Sequence, residues 1–83
     1  MPEIDMQAVI SVINGFLIEE FEADAAVIQP EANMHKALDL DSLDYVDLVV
    51  LIEENFGFKM TADDFKEVQT FQQFYDFVAV RVN

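Results

Sequence analysis

Apolar residues near the start of the chain recur at steps of three and four: Met6, Val9, Ile10, Ile13, Phe16, Leu17 and Phe21 fall on one stripe of a helical wheel. The pattern predicts an amphipathic helix from Ile4 to Phe21. Gly15 inside it costs about 1 kcal/mol relative to Ala, so periodicity rather than propensity carries the assignment. From Glu22 to Asp41 the pattern lapses around Pro30 and leaves Ala25, Val27, Ile28, Met34 and Leu38 as scattered apolar positions. A connection this long without structure of its own is uncommon unless it is functional or tied down. A long loop is therefore predicted, crossing the bundle and pinned to the core by those five residues.

Leu43, Val46 and the run Leu48 to Ile52 make the densest apolar segment, and the run alone would also suit a buried strand. Its flanks decide for helix. Asp41 and Ser42 offer an amino-terminal cap, Asp44 and Asp47 lie in the first turns where the helix dipole favours acids, and Gly57 stands where a left-handed carboxyl-terminal cap belongs. The second helix is thus predicted from Ser42 to Phe56, with Phe58 folding back towards Ile52. Thr61 with Asp64, and Thr70 with Gln73, resemble capping boxes, so two more helices begin there. The third is short, Ala62 to about Val68, and the fourth carries Phe71, Phe74, Tyr75, Val78 and Val82 on one face. The product is an all-α four-helix bundle with a long loop between helices one and two and a short third helix.

Composition narrows the function. Eighty-three residues suffice for a single domain spanning residues 1–83, and 53% hydrophobic residues with eight Phe imply a packed core. The chain has no Cys, which excludes disulfides, thiolate metal sites and a protein thiol nucleophile, so any thiol chemistry must be imported. Seventeen acids against four bases give a formal charge of −13, which repels nucleic acid and selects basic partners. No apolar run is long enough to cross a bilayer, and the residues from Met1 to Asp5 lack the basic start and apolar centre of a secretion signal. A cytoplasmic monomer without stable membrane insertion is expected.

Candidate chemistry centres on Leu38 to Phe58. Asp39, Asp41 and Asp44 before a helix suggest a calcium loop, but Asp44 stands where that loop needs Gly and Val50 where it needs Glu. Nothing beside Ser42 would activate it as a nucleophile, since the lone His35 lies in the loop and no glycine-rich elbow is present. His35 itself reads as a plain loop residue. The protein is thus expected not to be an enzyme. From Ala37 to Phe58 there is no basic residue, while acids at 44, 47 and 54 share roughly one helix face with Glu53 at its edge.

This stretch resembles the acyl carrier protein family, in which an Asp-Ser-Leu triplet opens an acidic second helix. Asp41, Ser42 and Leu43 match the triplet, and Asp44, Asp47, Glu53 and Glu54 match the acid spacing. The resemblance implies that Ser42, flanked by Asp41 and Leu43, carries a covalent 4'-phosphopantetheine derived from coenzyme A and attached by a phosphopantetheinyl transferase. Helix-start geometry would place its phosphate beside unpaired backbone amides and the positive end of the dipole. The implied cargo is acyl intermediates held as thioesters in fatty acid, polyketide or specialised lipid biosynthesis, sheltered in a cavity between helices. Asp44, Asp47, Val50, Glu53 and Glu54, with exposed Leu43, would meet basic patches on acyl-transfer, synthase and reductase enzymes. The chain departs from the common pattern at Asp39, where many members have Gly, and at Tyr45, which is bulky and close to Ser42. The same motif also suits an aminoacyl, peptidyl or D-alanyl carrier, and the acidic helices alone would suit an adaptor without a prosthetic group.

A net charge this large pushes the folded chain apart. Added salt or divalent cations should therefore raise the melting temperature, as calorimetry across an ionic-strength series would show; a flat series would contradict the argument.

Overall fold

A computed structural model describes residues 5–82, all helix, turn and loop apart from one isolated bridge. Helix α1 spans Met6–Phe21, and the Asp5 carboxylate caps it by accepting from the Ala8 amide at 2.8 Å. The predicted start at Ile4 lies outside the described residues, as do the first four residues of the segment tested for a secretion signal. Glu22 closes α1 in the left-handed region at φ 55°, and the Ala23 amide returns to the Leu17 carbonyl at 3.2 Å. The long crossover follows, with a 3-10 turn at Ala25–Val27 and a one-turn helix α2 at Met34–Ala37. Helix α3 spans Ser42–Phe56, α4 Ala62–Glu67 and α5 Phe71–Val82. The four predicted helices are all present, and α2 is an addition too short to show any period.

Backbone hydrogen bonds explain how the crossover is held. A helix start leaves its first amides without intrahelical partners. At α5 the Phe71 amide donates to the Ala32 carbonyl at 3.2 Å and the Gln72 amide to the Pro30 carbonyl at 3.0 Å. The Gln73 amide donates to the Thr70 hydroxyl at 3.1 Å, while the Gln73 side chain accepts from the Gln69 and Thr70 amides at 2.7 and 3.2 Å. Met34 then donates to the Gln69 carbonyl at 2.9 Å beside the antiparallel bridge between Asn33 and Thr70. The crossover and the start of α5 thus satisfy each other's polar groups.

The core beneath them draws Val9, Ile13, Phe16 and Leu17 from α1, Leu48 and Ile52 from α3, and Phe71, Phe74, Tyr75 and Val78 from α5. Met34, Met60, Phe65 and Val68 complete it from the short helices and loops. Phe58 packs partly buried against this core, which includes Ile52. Of the five apolar residues expected to pin the crossover, only Met34 is fully buried. Ile28 and Leu38 are partly buried, and Ala25 and Val27 are exposed on the 3-10 turn. Backbone bonding to Gln69–Gln72 supplies the rest of the anchoring.

Tyr75 ties α5 to α1 by donating its hydroxyl to the Asn14 side-chain carbonyl at 2.6 Å. Burial pushes the Tyr75 phenol above its ordinary value. The stability of a neutral Tyr75 is therefore fully present below about pH 10 and is lost as pH rises through the raised value. Urea midpoints should fall above that pH, and Tyr75→Phe should lessen the fall while costing about 1 kcal/mol at neutral pH from the lost hydrogen bond. An alkaline fall as steep in Tyr75→Phe as in the parent would remove Tyr75 as its source.

Candidate functional site

The start of α3 is fixed by two carboxylates. Asp41 is the cap, accepting from the Leu43 and Asp44 amides at 3.0 Å each, and the Asp44 carboxylate accepts in return from the Asp41 amide at 3.1 Å. This is a reciprocal capping box with Asp in the usual Glu position. Ser42 is consequently the first helical residue rather than part of the cap, and its side chain is exposed. Among the described residues its hydroxyl has no hydrogen-bond partner. Of the amides at this helix start, those of Asp41, Leu43 and Asp44 are taken by the two carboxylates and the Ser42 amide is not, so a free phosphate would meet two carboxylates for one remaining amide. A covalently held phosphate needs no such affinity, and an exposed, uncommitted hydroxyl fits that linkage.

Asp39 sets the approach to this cap. Its φ of 50° is left-handed, and the turn closes α2 with the Leu40 amide donating to the His35 carbonyl at 3.2 Å. Glycine adopts this conformation without a Cβ penalty and Asp is among the residues that tolerate it. The turn thus accounts for a glycine preference at this position and for Asp as a workable substitute.

Along α3 the outward ridge carries Leu43, Val46 and Val50, which are 74%, 58% and 47% exposed. Asp47, Glu53 and Glu54 are exposed around it and Asp44 is half-buried. All of these except Val46 are residues the sequence marks for an expected docking face. Sequence reasoning also missed Glu20 of α1, which shares a surface depression with Asp47, Val50 and Leu51. Only the approach of α1 to α3 brings that acid into the patch.

A groove of about 540 Å³ runs beside α3 from Ser42 past Val46, Val49 and Val50 to Glu53, walled opposite by Lys59, Met60 and Thr61. The helical rise makes it about 16 Å long. Tyr45 forms part of its inner side. The Tyr45 hydroxyl bonds His35 Nδ1, and His35 Nε2 lies 2.6 Å from the Val68 carbonyl. A carbonyl only accepts, so neutral His35 carries its proton on Nε2 and the Tyr45 hydroxyl donates to Nδ1. Burial, and then the Asp44 carboxylate, push the Tyr45 phenol above its ordinary value. Ring contacts continue inward, Tyr45 to Phe65 at 5.3 Å and Phe65 to Phe74 at 6.0 Å. His35, expected as a plain loop residue, instead bridges α2, α3 and the segment after α4. Both its ring nitrogens are engaged there, away from Ser42.

The phosphopantetheine attachment site family matches residues 12–78, from within α1 into α5. The chain is 40% identical over 58 residues to acyl carrier protein 2 of Ralstonia nicotianae, covering 70% of this chain and 72% of that one. It is 32% identical over 76 residues to the acyl carrier protein of Syntrophobacter fumaroxidans, covering 92% and 94%. It is 35% identical over 71 residues to the mitochondrial acyl carrier protein 2 of Arabidopsis thaliana, covering 86% of this chain and 53% of that longer protein. An all-helical fold, an exposed serine opening an acidic helix and a family match over most of the length lead to one assignment: the chain belongs to the acyl carrier protein family, non-catalytic carriers that bear a 4'-phosphopantetheine prosthetic group.

Proposed function

We propose that the described residues work as one carrier unit, with Ser42 as the attachment point, delivering acyl intermediates in fatty acid or related polyketide or specialised lipid biosynthesis. The exposed, uncommitted hydroxyl at the first residue of α3 carries this reading. Asp41 and Asp44 hold the helix start in place so that the Ser42 hydroxyl projects from a rigid element. The bound group supplies a thiol for holding acyl groups as thioesters, and a chain without Cys offers no competing thiol. His35 is committed to Tyr45 and Val68, which leaves Ser42 without a base of its own and its modification to a separate phosphopantetheinyl transferase.

Asp44, Asp47, Glu53 and Glu54 make a negative rim around Leu43, Val46 and Val50, and Glu20 extends it. A charged rim with a small apolar centre suits brief encounters with basic patches on acyl-transfer, synthase and reductase enzymes, speeding association more than it deepens affinity. Tethering then raises the local concentration of cargo at each partner, so a weak interface suffices.

Two experiments test this. Intact-protein mass spectrometry after incubation with coenzyme A and a promiscuous phosphopantetheinyl transferase should show one added phosphopantetheine on the parent and none on a folded Ser42→Ala variant. Loading of Ser42→Ala would place the attachment elsewhere. Reversing Asp44 and Asp47 to Lys should slow loading at low salt by about tenfold or more and much less at high salt. Equal rates for variant and parent at low salt would exclude this face from docking.

A further inference from the structure

Two openings meet at one side chain. The groove beside Ser42 and a second cleft of about 280 Å³, lined by His35, Phe65, Lys66 and Gln69, share Tyr45 as their common lining residue. Tyr45 therefore stands between the groove beside Ser42 and the cleft in front of Phe65, whose ring packs on Phe74 in the core. A phenol at a partition could swing aside if nothing held it. Here its hydroxyl is bonded to His35 Nδ1, whose other nitrogen is bonded to the Val68 carbonyl. Opening the partition would break the first bond, strand a half-buried imidazole nitrogen and separate the Tyr45 and Phe65 rings. The chain from Tyr45 through His35 to Val68 joins α3 to the segment after α4, so Tyr45 cannot swing aside without giving up that tie.

Resting on the carrier reading above, we infer that Tyr45, latched by His35, bars cargo from the interior and makes this a carrier that shelters short acyl groups in the outer groove, leaving the remainder of a longer chain outside. Tyr45 and His35 act here as specificity residues, limiting how deep a chain can go. The groove suits that restricted role. Val46, Val49, Val50 and Met60 give it an apolar lining, while Glu53, Lys59 and Thr61 add polar groups.

The test loads the parent, Tyr45→Phe and Tyr45→Ala with butyryl, octanoyl and palmitoyl phosphopantetheine from the matching acyl-coenzyme A, the transferase releasing adenosine 3',5'-bisphosphate, and follows each by NMR and by thioester loss to hydroxylamine. In the parent, lengthening the chain should move the amide signals of Val46, Val49, Val50 and Met60 and leave those of Phe65, Val68 and Phe74 in place. Octanoyl and palmitoyl forms of the parent should lose their thioesters at rates within about twofold of each other. Tyr45→Ala should let the palmitoyl chain inward, slowing its loss about fourfold for each methylene that leaves water, with the core signals moving. Tyr45→Phe, which keeps the ring and loses the bond to His35, should fall between them.

Palmitoyl-dependent shifts at Phe65 and Phe74 in the parent, or protection that climbs with chain length there, would overturn the latch while leaving the carrier intact. Should Tyr45→Ala not fold, the parent measurements decide alone. A folded parent that takes no phosphopantetheine would overturn the carrier reading itself, and the latch with it.

Discussion

The crossover between α1 and α3 has to satisfy its own backbone where the helices pack, and it does so on the start of α5. Carbonyls of Pro30 and Ala32 receive the first amides of α5, and Met34 donates to Gln69. Buried backbone groups left unpaired are costly, so this exchange fixes where the crossover runs. From it follow the placement of α2, the turn at Asp39 and the entry of the chain into α3. The site thus depends on hydrogen bonds made between segments more than thirty residues apart in sequence.

Electrostatics at the site divide into two roles. Asp41 and Asp44 face backbone amides at the helix start, where negative charge is stabilised by the dipole and by direct hydrogen bonds. Asp47, Glu53 and Glu54 face solvent and make little contribution to the fold. Their charge repels within the molecule and, in the proposed function, is directed towards a basic surface. The acids nearest Ser42 are therefore structural, and in the proposed function those further along α3 serve recognition.

Aromatic contacts connect this surface to the core. Tyr45 touches the groove on one side and Phe65 on the other, and Phe65 packs on Phe74 of α5. His35 adds a polar tie across the same region, both nitrogens engaged, in a position the sequence alone shows as loop. A single polar pair at the rim of an apolar interior is a specific device, because moving it exposes a partnerless nitrogen as well as a ring.

Helix positions, their caps and the serine motif were legible in the sequence because they are local: periodicity, an Asp before Ser42 and Gly57 after Phe56 act within a few residues. The acid spacing along α3 was legible for the same reason. Whether Asp41 or Ser42 served as the cap was left open, since both are capping types, and only the bonds to Leu43 and Asp44 decided it. The one-turn α2 was hidden because a single turn has no period, and the solvent-facing Ala25 and Val27 were misjudged because hydropathy does not record which way a loop faces. Glu20 beside Asp47, and the Tyr45, His35 and Val68 connection, arise from residues brought together by packing between helices. No local pattern encodes such meetings, so tertiary structure alone determined them.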